Sequence, residues 1–175
     1  MSIEYVSSER WRSDNMKVLG IDPGLRFTGF GVVEAFKGKV SYITSGVIPT
    51  DAKMTLPNRL KTILTGLTEI ITDTKPDVAC IEKVFVNVNP QSTLLLGQAR
   101  GAAITACVLH NIDVGEYTAL QIKKSVVGYG HADKHQVSKM VQYLLKLNGE
   151  PSSDAADALA IALTYVYNTP DRLLV

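Results

Sequence analysis

The chain has 175 residues, 46% of them hydrophobic and 20% charged, the proportions of one ordinary globular domain with a full core. Its net charge of +1 excludes a polycation, so any nucleic-acid site must come from local clustering of Lys and Arg. No run of roughly 18 uninterrupted apolar residues marks a transmembrane helix, and the N-terminus lacks the apolar core of a signal peptide. The two cysteines, Cys80 and Cys107, have no metal-ligand spacing and lie in apolar runs. They read as buried free thiols of a reducing compartment, and the expectation is a cytoplasmic protein.

Met1 to Asn15 is polar and without period, and the folded pattern begins at Met16. The chain therefore reads as a tail over 1–15, one domain over 16–168 and a tail over 169–175. Val18, Leu19 and Ile21 form an apolar run that ends in Asp22 and the turn Pro23-Gly24. So little polar alternation suits a strand covered on both faces. Phe27 to Phe36 reads as a second strand, in which Gly29 and Gly31 mark close approach of another backbone or a ligand. After the tight turn at Lys37-Gly38-Lys39, Val40 to Ile48 completes an antiparallel meander. Leu56 to Thr74 has helical spacing, with Pro57 in the first turn and Pro76 beyond the end. Asp77 to Ile81 is a short apolar strand followed by Glu82, and the crossover implies parallel pairing with an earlier strand.

Pro90 to Leu109 is a helix rich in Gly and Ala, which suits burial in the core or in a subunit interface. Ile112 to Glu116 is a strand, Ala119 to Val126 a short helix, and Asp133 to Leu147 an amphipathic helix. Five lysines (Lys123, Lys124, Lys134, Lys139, Lys146) stand against one acid, Asp133, between 123 and 146. The last helix opens near Pro151 and runs to about Tyr167, with Asp154 and Asp157 on one face of its first turns.

Four acids thus sit in apolar frames: Asp22 and Glu82 at strand ends, Asp154 and Asp157 at a helix start. Each alone has a plainer reading. Asp22 suits an Asp-Pro-Gly turn, and Asp154 suits an N-cap with Asp157 in capping-box position. Together they have the chemistry of a hard-cation site, since magnesium takes oxygen ligands and keeps several waters. Two such ions roughly 4 Å apart can clamp an in-line displacement at phosphorus. No Cys/His cluster competes as a zinc site, and no G-x-x-x-x-G-K-[ST] loop is present.

The element order (meander, helix, strand, helix, strand, late helices) is that of the ribonuclease H-like α/β fold. It gives a mixed five-stranded sheet, a three-strand antiparallel meander plus parallel strands, flanked by helices. Gly20-Ile21-Asp22-Pro23-Gly24, Ile81-Glu82-Lys83-Val84-Phe85, Leu96-Gly97-Gln98-Ala99-Arg100-Gly101, Val126-Val127-Gly128 and Asp154 to Ala160 follow in order. In these five motifs the chain resembles the RuvC family of bacterial Holliday-junction resolvases, from about Lys17 to Tyr167. The resemblance implies a magnesium-dependent homodimeric endonuclease with two ions per site, manganese substituting. Such an enzyme binds four-way junction DNA in homologous recombination and DNA repair. It makes paired symmetric nicks that leave 5′-phosphate and 3′-hydroxyl ends. A branch-migration complex of RuvA and RuvB type is the implied partner.

Asp22, Glu82, Asp154 and Asp157 match the family's four catalytic, metal-binding acids. Phe85 matches an aromatic that projects toward the junction centre, and Lys123 and Lys134 match basic residues at DNA phosphates. The family's dimer interface uses the helix that here holds Gly97 to Ala106. From the residues alone, the lysines better suit the wet face of an amphipathic helix, and the core is the usual place for a Phe such as Phe85. Arg100 is a phosphate contact or a structural hydrogen-bonder. A nuclease that processes RNA with the same four acids and a non-catalytic DNA-binding module are the other readings. A phosphotransferase of the actin and sugar-kinase type needs a duplicated domain, for which 175 residues are too few.

Overall fold

The computed structural model describes residues 15–84 and 89–169. The described part of the chain runs β1 (Asn15–Asp22), β2 (Phe27–Phe36), β3 (Lys39–Pro49), α1 (Leu56–Thr74), β4 (Val78–Glu82), α2 (Pro90–Leu109), β5 (Asp113–Tyr117), α3 (Ala119–Val127), α4 (Lys134–Leu144) and α5 (Ser153–Asn168). The strands form one sheet in the order β3-β2-β1-β4-β5. The meander is antiparallel, and β4 pairs parallel to both β1 and β5. This is the expected mixed α/β sheet. Strand β1 begins at Asn15, whose side-chain amide donates to Glu34, one residue inside the segment read as a tail.

Alternation along β1 and β4 divides two cores. Leu19, Ile21, Ala79 and Ile81 face α1 and α2, where Ile63, Leu67, Ala99, Ala103 and Cys107 are buried. Val18, Val78 and Cys80 face α3, α4 and α5. Covered on both faces, β1 can be apolar at every interior position, as its sequence is.

The α5 side is shaped by absent side chains. A Cβ on Gly20 would overlap the carbonyl oxygen of Ala158 and stand 2.7 Å from the nitrogen of Ala162. One on Gly29 would overlap the carbonyl oxygen of Asp154, and one on Gly31 would stand 2.7 Å from Leu159. Gly20 pairs with Gly31 across β1 and β2, and Gly29 pairs with Asp22, so the glycines form one patch. The close approach read from Gly29 and Gly31 is that of α5, which is buried almost all round its axis.

One helix ends earlier than the sequence expectation. Helix α4 stops at Leu144, because the chain reverses through Lys146 at φ 51°. Leu145 is still buried and Leu147 partly so, which let the apolar period run on past the helix. Among the described helices α2 has the length and mean hydropathy of a membrane span, but Gln98 and Arg100 break its apolar run, in keeping with the sequence reading. One of its faces packs on α1 and the sheet through Ala99, Ala103, Ala106 and Cys107.

Gly20→Ala should therefore cost about 3 kcal/mol, at the upper end of ordinary overpacking, because its obstacle is backbone. Urea unfolding checks this, and an unchanged midpoint would show that α5 has room to retreat.

Candidate active site

Asp22 follows Val18 and Gly20 on the α5 side of β1, and Glu82 follows Val78 and Cys80 on the same side of β4. The parallel register pairs Ile21 with Ile81, so the two acids stand one step further along neighbouring strands. The turn after Asp22 is tied down by other groups. The Thr28 hydroxyl donates to the Gly24 carbonyl at 2.8 Å, and the Thr50 hydroxyl donates to the Leu25 carbonyl. Arg59 of α1 reaches the same Leu25 carbonyl at 3.1 Å and donates to the Thr50 hydroxyl at 2.9 Å.

Helix α5 contributes the second pair. Its N-cap is Ser152, not Asp154 as the capping reading expected. The helix opens earlier, so Asp154 is its second residue and Asp157 its fifth. Gly29 seats Asp154 against β2, and Asp157 faces the strand-borne acids across a cleft of about 240 Å³. Asp22, Glu82, Asp157, Lys123 and Lys134 line this cleft, over an apolar floor that includes Ile122 and Val137. A larger groove of about 750 Å³ between β3 and α1 holds Lys61 and Glu69 and no cluster of acids.

Electrostatics unite the four carboxylates. Burial, then repulsion from Asp157, Glu82 and Asp154, pushes Asp22 from its ordinary 3.8 up to about 7, against a lowering by Lys134. Glu82 is raised by burial and then by Asp157. Lys134 Nζ donates to Asp157 Oδ2 at 3.0 Å, and this bond holds the ammonium above its usual range. The site has an excess of negative charge that Lys134, with Lys123 beside Glu82, partly offsets. Among the described residues no three acidic, His or Cys groups close into a metal cage. An open set of carboxylate oxygens nevertheless suits a magnesium ion, which usually keeps waters and takes one or two carboxylates plus substrate phosphates.

Of the basic residues, Lys123 and Lys134 border the acids. Arg100 is committed elsewhere: Nη2 pairs with Glu116 at 2.6 Å and Nε donates to the Glu82 carbonyl at 3.1 Å. Of its two readings, the structural one has the geometry. Phe85 lies outside the described residues. Arg59, Thr50 and Glu116 were not singled out from sequence, because their partners lie 9 to 34 positions away and share no motif with them.

A family model, crossover junction endodeoxyribonuclease RuvC, matches residues 18–165. The chain belongs to the RuvC family. The RuvC of Herminiimonas arsenicoxydans is 64% identical over 154 residues, covering 87% of this chain and 84% of that protein. The RuvC of Cupriavidus necator is 60% identical over 158 residues, covering 90% and 87%. Among solved structures, T. thermophilus RuvC in complex with Holliday junction substrate superposes with a TM-score of 0.84 at 33% identity, covering 90% of this chain and 97% of that one. The yeast mitochondrial Holliday junction resolvase Ydc2 shares the fold, with a TM-score of 0.64 at 13% identity and coverage of 89% and 79%.

The raised Asp22 carboxyl has a consequence for stability. Between its ordinary value and about 7 the folded chain holds a proton that the unfolded chain has lost. The contribution is full below about pH 4 and falls as the pH rises through 7. In chelator, Asp22→Asn should flatten this fall and melt several degrees above the parent chain at pH 8. Calorimetry across pH 4 to 8 checks it, and a variant that melts lower at pH 8 would contradict the assigned charge strain.

Proposed function

We propose that this chain is a structure-specific DNA endonuclease that resolves Holliday junctions in homologous recombination and DNA repair. The observation that carries the proposal is the convergence of Asp22, Glu82 and Asp157, with Asp154 in the same field, on a cleft bordered by Lys123 and Lys134. Membership of a family of crossover junction endodeoxyribonucleases supports the nuclease reading.

In this reading the four acids hold two magnesium ions, for which manganese substitutes. The bound ions supply Lewis acidity at phosphorus and neutralise charge on the leaving oxygen. The chain's own groups do the rest. Lys123 from α3 and Lys134 from α4 receive the phosphates that flank the scissile bond, a contact that positions DNA without reading its sequence. Lys134 gives up Asp157 in exchange for phosphate. The apolar floor formed by Ile122, Val137 and Ile161 limits water behind the acids. Phe85, on the connector after Glu82, is proposed to stack at the junction centre. Hydrolysis leaves 5′-phosphate and 3′-hydroxyl ends.

Paired symmetric nicks need two such sites, and a homodimer through α2 supplies them. Helix α2 turns Leu94, Gly97, Gly101, Thr105 and Val108 outward at helical spacing. Leu94 is 69% exposed, Leu109 at the helix end is 67% exposed, and space is open over both glycines. Small residues allow a second helix to come close. A branch-migration complex of RuvA and RuvB type is the further partner proposed. Two buried free thiols, Cys80 and Cys107, suit the reducing cytoplasm.

A nicking assay on a labelled four-way junction and matched linear duplex, with magnesium and with chelator, tests the function. Magnesium-dependent paired nicks in the junction alone are expected. Asp22→Asn and Glu82→Gln should each cut more than ~100-fold more slowly, beyond the usual effect of groups one shell from a metal, and still bind the junction. Preferential cutting of RNA, or tight binding without nicks under any divalent metal, would replace the proposal. Leu94→Glu should convert the dimer into a monomer on sedimentation and abolish paired cutting. A variant that stays dimeric would move the interface away from α2.

A further inference from the structure

Glu82 sits where a strand gives its side chain the least support. Glu82 is the last residue of β4, beyond which the chain leaves the sheet. A side chain at a strand's last residue has no further ladder to fix its backbone. Here the peptide unit between Glu82 and Lys83 is held from two sides. Its N–H, on Lys83, donates to the Tyr117 carbonyl of β5 at 2.7 Å. Its carbonyl, on Glu82, accepts from Arg100 Nε of α2 at 3.1 Å. Fixing that plane restrains ψ of Glu82, and with it the direction in which its Cα–Cβ bond leaves the strand.

Arg100 is itself oriented. Its Nη2 meets Glu116 Oε2 at 2.6 Å, and its side chain is only 20% exposed. Glu116 lies on β5 in register with Ile81, one step before Glu82. One guanidinium thus spans β4 and β5 from the helix above them. A rigid planar fork presents two donors side by side to these two acceptors, whereas the ammonium of a lysine is a point charge with no fixed fork.

We propose that Arg100 is a positioning residue that holds Glu82 in the direction required for metal binding, with Glu116 as its anchor. The proposal rests on the reading of Glu82 as a metal-binding acid. It also reads Arg100 as a structural hydrogen-bonder and not a DNA contact, since Nε and Nη2 are both engaged within the chain.

The test is manganese binding to the DNA-free full chain, followed by electron paramagnetic resonance, with melting temperature recorded for each variant. Glu82→Gln should weaken manganese binding. Arg100→Met, which keeps the stem and removes the donors, should weaken it about 10-fold, at the lower end of what groups one shell from a metal contribute. Arg100→Lys should recover part of the loss, and Glu116→Gln should weaken binding less than Arg100→Met. In turnover, Arg100→Met should lower kcat at fixed metal and leave KM for the junction near its parent value.

Unchanged manganese binding in Arg100→Met, beside a weakened Glu82→Gln, would overturn the positioning role and leave the metal reading intact. Unchanged binding in Glu82→Gln would overturn the metal reading itself. A raised KM with unchanged manganese binding would return Arg100 to the DNA surface. A lowered melting temperature with unchanged binding would make it merely structural. If Arg100→Met does not fold, Glu116→Gln decides, and unchanged binding there overturns the proposal.

Discussion

The site depends on how closely α5 lies against the sheet. Its backbone touches β1 and β2 where Gly20, Gly29 and Gly31 leave no side chains, and this contact carries Asp154 and Asp157 to the edge that bears Asp22. Each glycine in a strand costs roughly 0.5–1 kcal/mol against alanine. That cost is offset by packing: Ala158, Leu159, Ala160, Ile161, Ala162 and Leu163 are all at most 1% exposed. A bulkier sheet face would hold α5 away and leave the strand acids and helix acids on separate surfaces. The glycine patch is thus both a packing device and the device that assembles the carboxylates.

What it assembles is electrostatically unsettled. Burial and mutual repulsion act on Asp22 in the same direction, and the nearby cation that opposes them is Lys134. The Lys134–Asp157 pair is a partial remedy, because the lysine side chain is 77% exposed and the aspartate 26%. Such an exposed pair is worth little and exchanges readily. A cleft with these properties gains from any added positive charge, and its lysines gain from an added polyanion. Holding Asp22 in this field costs the fold stability at neutral pH.

Much of this was legible in the sequence, for physical reasons. An apolar run ending in an acid shows where a buried strand stops, and Gly29 and Gly31 announced a close neighbour. Asp154 and Asp157 stood out because acids are rare on an otherwise apolar helix face. Element ends were less legible. The apolar period continues through Leu145 and Leu147 although α4 has ended, since both residues still pack on the core. The last helix was read as opening near Pro151 and does begin at Ser153, but the plainer reading of Asp154 as its N-cap fails, since Ser152 occupies the N-cap without a side-chain bond. Long-range hydrogen bonds left no trace: nothing in Arg59 or Arg100 states which carbonyl 34 or 18 positions away it will meet.

Helix α2 shows why composition alone could not decide its role. Its length and hydropathy are those of a membrane span, and its small residues are equally those of a packed helix. Two faces separate the readings. Ala99, Ala103, Ala106 and Cys107 enter the core beside α1, while Leu94, Gly97 and Gly101 look outward over open space. Arg100, at the middle of the helix, donates to the Glu82 carbonyl and pairs with Glu116, the contacts of a helix packed on a sheet. Arg100 lies between those faces, next to Gly101, and its fork grips the strand end that bears Glu82. The outer face and the Arg100 bond to the Glu82 carbonyl thus belong to one helix, which links the open side of α2 to the strand end at the cleft.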